Sequence, residues 1–537
     1  MPNRHTLALT HIGVSLAAFT VASAMGALQG LTVADVSFPL RSESLYYVSV
    51  TAHGVLMALV FTTFFIMGLG YVFAEESLGG ISGRAFGWAG FWIAAIGSVM
   101  AAVTILRGQS TVLYTFYPPM QAHPLFYIGA TLLVVGSWIW GGVILASYRS
   151  WRADHPGVPA PLSIHGMVAT IVLWYLATAG LAIEVVGMLI PWSLGLTDKI
   201  DPLVARTYFW WFGHPLVYFW LMPAYILWYY VLPRIAGGRL FSDPLARMAF
   251  ILFLVLSTPV GFHHQFVDPG VSSGWKLAHT ITTYAVLYPS LVTAFTVIAS
   301  LEVAGRLKGA DGLFDWIGRL PWSDPFFSSV ALGMIAFMFG GFGGAINAAY
   351  AMNTMVHNTA WIMGHFHVTL GTTVALTFMG ATYWLLPRLL GRELRFIGLA
   401  RVQPYLWFAG MTLFSTSYHI AGLRGLPRRV YSGALTGDYG APWHTLTQVA
   451  AVGGVILFLS ALCFITVVVA TWTAGERITA PSFEFAVPIV EPSAPGLWDR
   501  YGLWTVVAVV LVVLAYAYPL IQLLAHPRFG SPPFKPF

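Results

Sequence analysis

The sequence has little charge and almost no cysteine. Of its 537 residues only 9% are charged and 58% are hydrophobic, which leaves too few charges to cover the surface of a soluble protein of this length. The one cysteine, Cys463, excludes an intramolecular disulfide and a thiolate metal cluster, and its apolar neighbours indicate a small buried hydrophobe. The shortage of charge places the chain in a membrane.

Long apolar stretches follow one another along the whole chain. A membrane-spanning helix needs about 20 mostly apolar residues, and thirteen stretches meet this condition: 7–31, 46–75, 85–107, 124–148, 163–192, 205–233, 244–266, 275–305, 328–355, 357–387, 401–424, 444–473 and 498–525. The connections are short, and the longest polar one, 474–497, is Pro-rich. We therefore expect an all-α polytopic membrane protein with about thirteen transmembrane helices, forming a single transmembrane domain over 1–537.

The basic residues indicate an orientation. With the N-terminus in the cytoplasm, 16 Lys and Arg residues lie inside and 10 outside, which sum to the 26 in the chain. Cytoplasmic loops carry the excess of basic residues in membrane proteins, so a cytoplasmic N-terminus is predicted. The formal charge of +6 reflects these helix ends and does not indicate nucleic-acid binding. Arg428 and Arg429 depart from the rule, because they form an adjacent basic pair on the outer side.

Six histidines fall within the predicted spans. Ionisable groups inside a membrane are costly and are therefore functional candidates, although a single one also fits a hydrogen-bonded structural role. In the alternating topology all six lie at one depth, in the outer half of the membrane. Unrelated structural histidines have no reason to share a depth, whereas shared metal centres require it. The six are His53, His214, His263, His264, His365 and His367.

The spacing of these histidines divides them into groups. His365 and His367 project about 200° apart on a helix, so they can hold one metal centre on each side of the tenth span. The adjacent His263 and His264, near the end of the seventh span, can converge on an ion with His214 as the third ligand. Three imidazoles with an open position suit copper that must meet a substrate, and a haem iron requires axial ligands along one line.

At these residues the sequence resembles subunit I of the haem–copper oxidase superfamily, over about 45–430. The matching motifs are Gly213-His214-Pro215-Leu216-Val217-Tyr218, His263-His264 and Gly364-His365-Phe366-His367. The chain is most similar to the B family, on the stretch from Ser257 to Gln265 and the unbroken run Ser290, Thr293 and Thr296. Leu216 also fits, because the A family usually has a glutamate there.

The resemblance implies an enzyme and its cofactors. It implies a cytochrome c oxidase of the prokaryotic plasma membrane, which reduces O₂ to water with four electrons and couples this to proton translocation. One low-spin haem, expected to be b-type, would be bound by His53 and His367. One high-spin haem, expected to be a-type, would be bound by His365, and one copper ion by His214, His263 and His264.

Tyr218 lies one helical turn after His214, on the same face. The spacing alone leaves a catalytic and a structural role open. In the family the matching tyrosine is cross-linked to the matching copper-ligand histidine, and it supplies an electron and a proton for O–O cleavage. Nitric oxide reductases of the same superfamily lack this tyrosine and hold non-haem iron with additional glutamate ligation. Oxygen is therefore the expected substrate, and nitric oxide the alternative.

Hydroxyl side chains recur along two spans and predict a proton pathway. Such spacing alone also fits helix packing, but together the residues match the single uptake route of the B family below its active-site tyrosine. No acidic entrance lies on these spans, so a partner subunit is expected to provide it. The pathway residues are Tyr225 and Tyr229, after Tyr218 in the sixth span, and Ser290, Thr293 and Thr296 in the eighth.

Glu184 is an intramembrane carboxyl group that lies outside this predicted pathway. It lies within the fifth span. A buried hydrogen-bonded group and a proton-handling group fit it equally.

Arg428 and Arg429 resemble the pair that binds haem propionates in this superfamily. The planar guanidinium suits carboxylates because it binds them with two parallel hydrogen bonds. His357 and Asn353 lie near the outer start of the tenth span, where propionates are expected. The family often has an aspartate at the position of Asn353, so a carboxylate-based proton-loading site is not carried over. His357 remains a candidate proton acceptor.

The expected partners are O₂, protons and a subunit II with its own copper site that receives electrons. Cytochrome c or a similar small redox protein is the expected donor, with quinol as the alternative. A small extra membrane subunit is a further candidate partner. A proton-coupled transporter without redox cofactors would explain the spans, Glu184 and the hydroxyl runs. It would leave six histidines at one depth unexplained.

Overall fold

The structure is a computed structural model that describes residues 4–36, 42–431, 440–492 and 495–536. Thirteen helical segments follow the predicted spans: α1 (Thr6–Val33), α2 (Glu43–Ser77), α3 (Arg84–Leu106), α4 (Pro124–Asp154), α5 (Leu162–Ser193), α6 (Pro202–Ile235), α7 (Asp243–Leu256), α8 (Ser273–Leu307), α9 (Pro325–Ala348), α10 (Trp361–Leu390), α11 (Ile397–Leu423), α12 (His444–Ala474) and α13 (Tyr501–Ala525).

Eleven of these segments in the described ranges are long and apolar enough to cross a membrane. The other two are α7, with 14 residues, and α11, with 27 residues. The predicted all-α, polytopic membrane fold is thus confirmed, and the number of spans is approximate.

Polar residues at the connections set where several helices begin. The Asp201 carboxylate accepts hydrogen bonds from the amides of Leu203 and Val204 at the start of α6. Asp324 accepts one from Phe327 at the start of α9. Such caps satisfy amide groups that have no partner within the helix. Each cap therefore holds the end of a long apolar helix where the chain turns.

The seventh helix ends earlier than predicted. The sequence predicts a span over 244–266, but α7 ends at Leu256, and residues Gly261–Gln265 form a separate 3₁₀ turn. Pro259 accounts for the difference, because proline lacks an amide hydrogen and disfavours a helical residue before it. His263 and His264 consequently lie on the 3₁₀ turn rather than on the end of the helix.

Three π-helical turns interrupt the long helices among the described residues. Leu56–Phe61 lies in α2 shortly after His53, Val185–Leu189 in α5 directly after Glu184, and His367–Val374 in α10. A π-helical turn changes the faces on which the following residues lie.

Pairings between connections agree with an alternating arrangement of thirteen spans. Strand β1 (Leu240–Ser242) pairs in parallel with β2 (Pro488–Val490), and both segments would lie on the side of the N-terminus. The isolated bridges Met120–Phe534, Ile200–Ser531 and Thr359–Pro427 each join two segments of the opposite side. Each of these contacts therefore joins segments on one membrane face.

Candidate metal and haem sites

The side chains of three of the predicted histidines lie close together. His214 stands between the helical stretches Pro202–Gly213 and Pro215–Tyr230 of α6, opposite the 3₁₀ turn that carries His263 and His264. A possible ligand nitrogen of each residue lies within 4.8 Å of those of the other two, and His214 Nδ1 is 3.0 Å from His264 Nε2. The arrangement fits a single metal ion with three imidazole ligands.

Neighbouring side chains orient these imidazoles. His263 Nδ1 is 3.0 Å from Thr283 Oγ1, which leaves Nε2 for a metal. The Trp210 ring stacks on His264, with centroids 3.7 Å apart and an interplanar angle of 7°. Outer partners of this kind set the direction in which a metal-binding imidazole points. Neither Thr283 nor Trp210 was identified from the sequence, because only packing brings them to the histidines.

His365 lies across a cavity from the three histidines. The cavity has a volume of about 230 Å³, and His214, His263, His264 and His365 all line it. Thr369 Oγ1 is 3.3 Å from His365 Nδ1, which leaves Nε2 for an iron. A Cβ atom on Gly343 would overlap the His365 ring, so glycine is needed where α9 passes this ligand. A haem held by His365 would thus lie beside the three-histidine site.

His53 and His367 form a second pair. Their rings are nearly parallel, with an interplanar angle of 17° and centroids 6.3 Å apart. His53 Nδ1 is 2.8 Å from the Ala22 carbonyl oxygen and His367 Nδ1 is 2.8 Å from that of Met363, which leaves both Nε2 atoms for metal binding. Metal–imidazole bonds are about 2 Å long, so an iron fits between the rings. Both residues line a second cavity of about 250 Å³.

Helix α10 separates the two cavities as the opposite-face argument predicts. His365 lines only the first cavity and His367 only the second, whereas Phe366 between them lines both. The two candidate haem sites are therefore adjacent, and the aromatic residues Tyr114, Trp220 and Phe366 line both cavities.

Tyr218 lies beside the three-histidine site. Its ring centroid is 5.3 Å from that of His214, at an interplanar angle of 59°, and the side chain is buried. Tyr218 and Ser290 both line the first cavity. The structure thus connects the candidate catalytic tyrosine with the first residue of the predicted proton pathway on α8.

The remaining pathway residues lie between α6 and α8, and all of them except Ser290 are buried. Tyr229 Oη donates a hydrogen bond of 2.7 Å to Thr293 Oγ1. Tyr225 lies beside Ser290, although no hydrogen bond of normal geometry joins them. Ser300 continues the line beyond Thr296, since its hydroxyl donates to the Thr296 carbonyl oxygen at 2.6 Å. The sequence reasoning missed Ser300, whose position one turn after Thr296 was a signal for it.

The two arginines line the candidate haem cavities. Arg428 lines the first and second cavities, and Arg429 the second. The Arg429 guanidinium lies 5.4 Å from the centroid of the Tyr114 ring. Within the described ranges, no carboxylate forms an ion pair with either arginine. Guanidinium groups that form no ion pair with a described carboxylate and that line these cavities suit haem propionates.

His357 and Asn353 lie at the same rim of the first cavity. The two side chains share a hydrogen bond of 3.0 Å between His357 Nδ1 and Asn353 Oδ1. His357 lies in the connection between α9 and α10, where burial and the charge of Arg428 lower its pKa to about 4. The imidazole is therefore neutral, and its Nε2 atom is free to accept a hydrogen bond or a proton near the arginines.

An ion pair near this rim was not found from the sequence. Arg206 and Asp268 pair at 3.0 Å, and Arg206 also lies over the Tyr117 ring, 4.8 Å from its centroid. Burial raises the pKa of Asp268 even though Arg206 opposes this shift. Arg206 and Asp268 are 62 positions apart in sequence, so only folding reveals the pair.

Glu184 lies apart from the pathway on α6 and α8. It is fully buried in α5, and neither carboxyl oxygen has a hydrogen-bond partner among the described residues. The sequence left a hydrogen-bonded and a proton-handling role open, and the first has no support in these contacts.

Known proteins resemble this chain over most of its length. The chain is 45% identical over 526 residues to cytochrome c oxidase subunit 1 of Thermus thermophilus, covering 95% of this chain and 93% of that protein. It is 24% identical over 487 residues to the subunit 1 of Cereibacter sphaeroides, covering 85% and 81%. A cryo-EM structure described as a haem–copper terminal oxidase dimer matches with a TM-score of 0.96 and 38% identity, over 100% of this chain and 95% of that one.

Residues 6–456 match the family described as cytochrome c and quinol oxidase polypeptide I. This match covers most of the chain, and the resemblance read from the histidine motifs is confirmed. The chain therefore belongs to the cytochrome c and quinol oxidase polypeptide I family and is the catalytic subunit of a respiratory haem–copper oxidase.

Proposed function

We propose that His214, His263 and His264 hold copper, His365 holds a high-spin haem and His53 with His367 hold a low-spin haem. The observation that carries this assignment is the shared cavity in which three converging imidazoles face His365 beside Tyr218. The parallel rings of His53 and His367 support the low-spin site. The family implies haem and copper; the b-type low-spin and a-type high-spin haems belong to this proposal.

The chemistry at the centre divides between the cofactors and the chain. When bound, haem iron and copper supply the electron-transfer chemistry that reduces O₂ to water. The chain orients the ligands through Thr283, Trp210 and Thr369, and the apolar walls of the cavity exclude bulk water. Tyr218, buried beside His214, holds the phenolic proton within reach of a substrate in the cavity. Arg428 and Arg429 would bind the haem propionates.

Protons would reach this centre along the contacts between α6 and α8. The hydrogen bond from Tyr229 to Thr293 is one link, and Ser290 opens onto the cavity. Water molecules would bridge the remaining gaps, since a bridging water replaces a direct hydrogen bond at small cost. Thr296 and Ser300 extend the line toward the side of β1. His357 is the proposed proton acceptor at the opposite rim.

The assembly and orientation complete the proposal. Subunit I of a haem–copper oxidase acts on oxygen together with a subunit II, which would carry the copper site that receives electrons and an acidic proton entrance. Cytochrome c or a similar small redox protein is the proposed donor. The chain would lie in a prokaryotic plasma membrane as one transmembrane catalytic domain, with its N-terminus in the cytoplasm.

The copper assignment is tested by His214→Ala in the purified complex. Loss of one imidazole should remove one copper ion per complex while both haem spectra persist, because neither haem depends on His214. Metal analysis and reduced-minus-oxidised spectra measure this. His155→Ala, at an exposed surface histidine, is the control and should keep all metals. Full copper content in the His214 variant would contradict the assignment.

Quinol remains the second candidate donor, because the matched family includes quinol oxidases. Turnover of the purified complex with ferrocytochrome c and with a soluble quinol distinguishes the two. Rapid O₂ consumption with quinol alone would replace the cytochrome c proposal.

A further inference from the structure

Glu184 is a buried carboxyl group without an assigned partner. Its side chain is inaccessible to solvent, and both of its oxygens lack hydrogen-bond partners among the described residues. Moving a carboxylate from water to such a place is strongly unfavourable, so the group is held in its neutral, protonated form. Glu184 therefore carries a proton that no described protein group accepts.

The backbone at Glu184 resembles that at the haem ligands. A π-helical turn, Val185–Leu189, begins directly after Glu184. The other two such turns in the described ranges follow His53 and begin at His367. π-helical turns within α-helices occur frequently at functional sites. The turn after Glu184 therefore indicates that Glu184 is a candidate functional residue.

Glu184 also lies close to the first cavity. Leu181, three residues earlier in α5, lines that cavity, as does Ala130 in α4. Tyr127 lies three residues before Ala130. Three residues correspond to about 5 Å along a helix. Glu184 and Tyr127 therefore stand less than one turn beyond the cavity wall, on adjacent helices.

Tyr127 is suited to act with Glu184. It is buried and close enough to Glu184 for an electrostatic interaction. Its hydroxyl oxygen accepts a hydrogen bond of 3.1 Å from the Ala122 amide, and its own proton has no acceptor among the described residues. The phenol can thus donate to a carboxylate or to a water molecule, and it is the titratable group that faces Glu184 from α4.

The pair is separate from the uptake pathway. Gly180 of α5 packs against Trp211 near the start of α6, and Gly166 packs against Ile226 near its other end. Helices α5 and α6 are therefore antiparallel. Glu184, near the end of α5, lies beside the first part of α6. Tyr229 lies near the opposite end, so His214 stands between Glu184 and the pathway.

We propose that Glu184 and Tyr127 form a proton-exchanging pair at the end of the cavity remote from the uptake pathway. The O–H bond of the Glu184 carboxyl group breaks, and its proton passes to a water molecule of the cavity. The reverse transfer restores the acid, and Tyr127 donates a hydrogen bond to the carboxylate in between. The inference rests on the proposed function, because changes in charge at the haem–copper centre would drive the exchange.

Infrared redox difference spectroscopy of the purified complex tests this pair. The wild-type complex should show a carboxylic-acid C=O band that responds to haem reduction and shifts in D₂O. Glu184→Gln should lose the band, and Tyr127→Phe should shift it, with normal haem spectra in both. Glu302→Gln is the control, because Glu302 is a partly exposed residue that pairs with Arg306, and it should keep the band unchanged.

Two results would overturn the proposal: a wild-type complex without such a band, or a band unchanged in Glu184→Gln. If that variant does not assemble, Glu184→Asp replaces it, and the band should then shift; an unshifted band would again overturn the pair. Failure of the proposed function is distinguishable, since it would appear as missing haem spectra or missing O₂ turnover in the wild-type complex.

Discussion

At the scale of single residues, the sites depend on where each imidazole points. His365 and His367 are two positions apart, yet they line different cavities. We expect His367→Ala to abolish the low-spin haem spectrum and to leave a high-spin haem that binds carbon monoxide. His365→Ala should do the reverse. Reduced spectra with and without carbon monoxide measure both variants, and loss of the same component in each would contradict the separation.

Tyr218 is the second prediction at this scale. Tyr218→Phe keeps the buried ring beside His214 and removes only the hydroxyl group. We expect intact haem spectra and copper content, with O₂ consumption lost or nearly lost, because the phenolic proton is no longer available. Tyr208→Phe is a matched control, since Tyr208 lies on the same helix but does not line the cavity. Near-normal turnover of the Tyr218 variant would indicate a structural role.

At the scale of elements, the contact between α6 and α8 is expected to carry protons. Thr293 receives the Tyr229 hydrogen bond, and valine is close to threonine in shape but cannot make that bond. We expect Thr293→Val to leave haem spectra and carbon monoxide binding normal while O₂ consumption falls several-fold. Flash-started oxidation should stall at the steps that take up protons. Wild-type proton-uptake kinetics would instead show that this contact serves packing.

A charged cluster links the ends of α1, α2 and α3. His5 Nδ1 is 2.6 Å from Glu75 Oε2, and its Nε2 is 3.2 Å from Glu76; Arg84 pairs with Glu75 at 2.6 Å, and Arg4 pairs with Glu76. Burial alone would lower the pKa of His5, but the hydrogen bonds to Glu75 and Glu76 outweigh it and raise the pKa above the usual 6.5.

The raised pKa predicts a pH-dependent stability. The charged imidazole contributes stability that is fully present below pH 6.5, the ordinary histidine pKa, and that is lost as pH rises through the higher pKa in the folded protein. We expect His5→Gln to lower the thermal midpoint of the complex by a few degrees at acidic pH and much less at alkaline pH. Haem absorbance on heating measures this, and His155→Gln is the control. An equal loss at both pH values would contradict the ion pairing.

At the scale of the whole molecule, the predicted orientation has a direct test. Lys199 and Asp311 are both exposed, on connections that the alternating topology places on opposite faces. In a Cys463→Ser background, we expect Lys199→Cys to react with an impermeant maleimide in intact cells, and Asp311→Cys to react only after permeabilisation. The reverse pattern would place the N-terminus outside.

Much of this protein was determined by the sequence alone. The apolar stretches predicted the membrane helices, because hydrocarbon accepts only long runs of apolar residues with internally bonded backbones. The spacing of His365 and His367 predicted opposite faces, because helix geometry is local. Motifs around His214 and His263 indicated the family. Each of these inferences depends on neighbours in sequence.

Only the tertiary structure determined the features that depend on contacts between segments distant in sequence. It ended α7 at Leu256 and placed the copper-ligand candidates on a 3₁₀ turn, where Trp210 stacks on His264. It made the rings of His53 and His367 parallel, and it left Glu184 without a hydrogen-bond partner among the described residues. Such features arise from side chains that packing brings together across the bundle, and no local pattern in the sequence encodes which groups will meet.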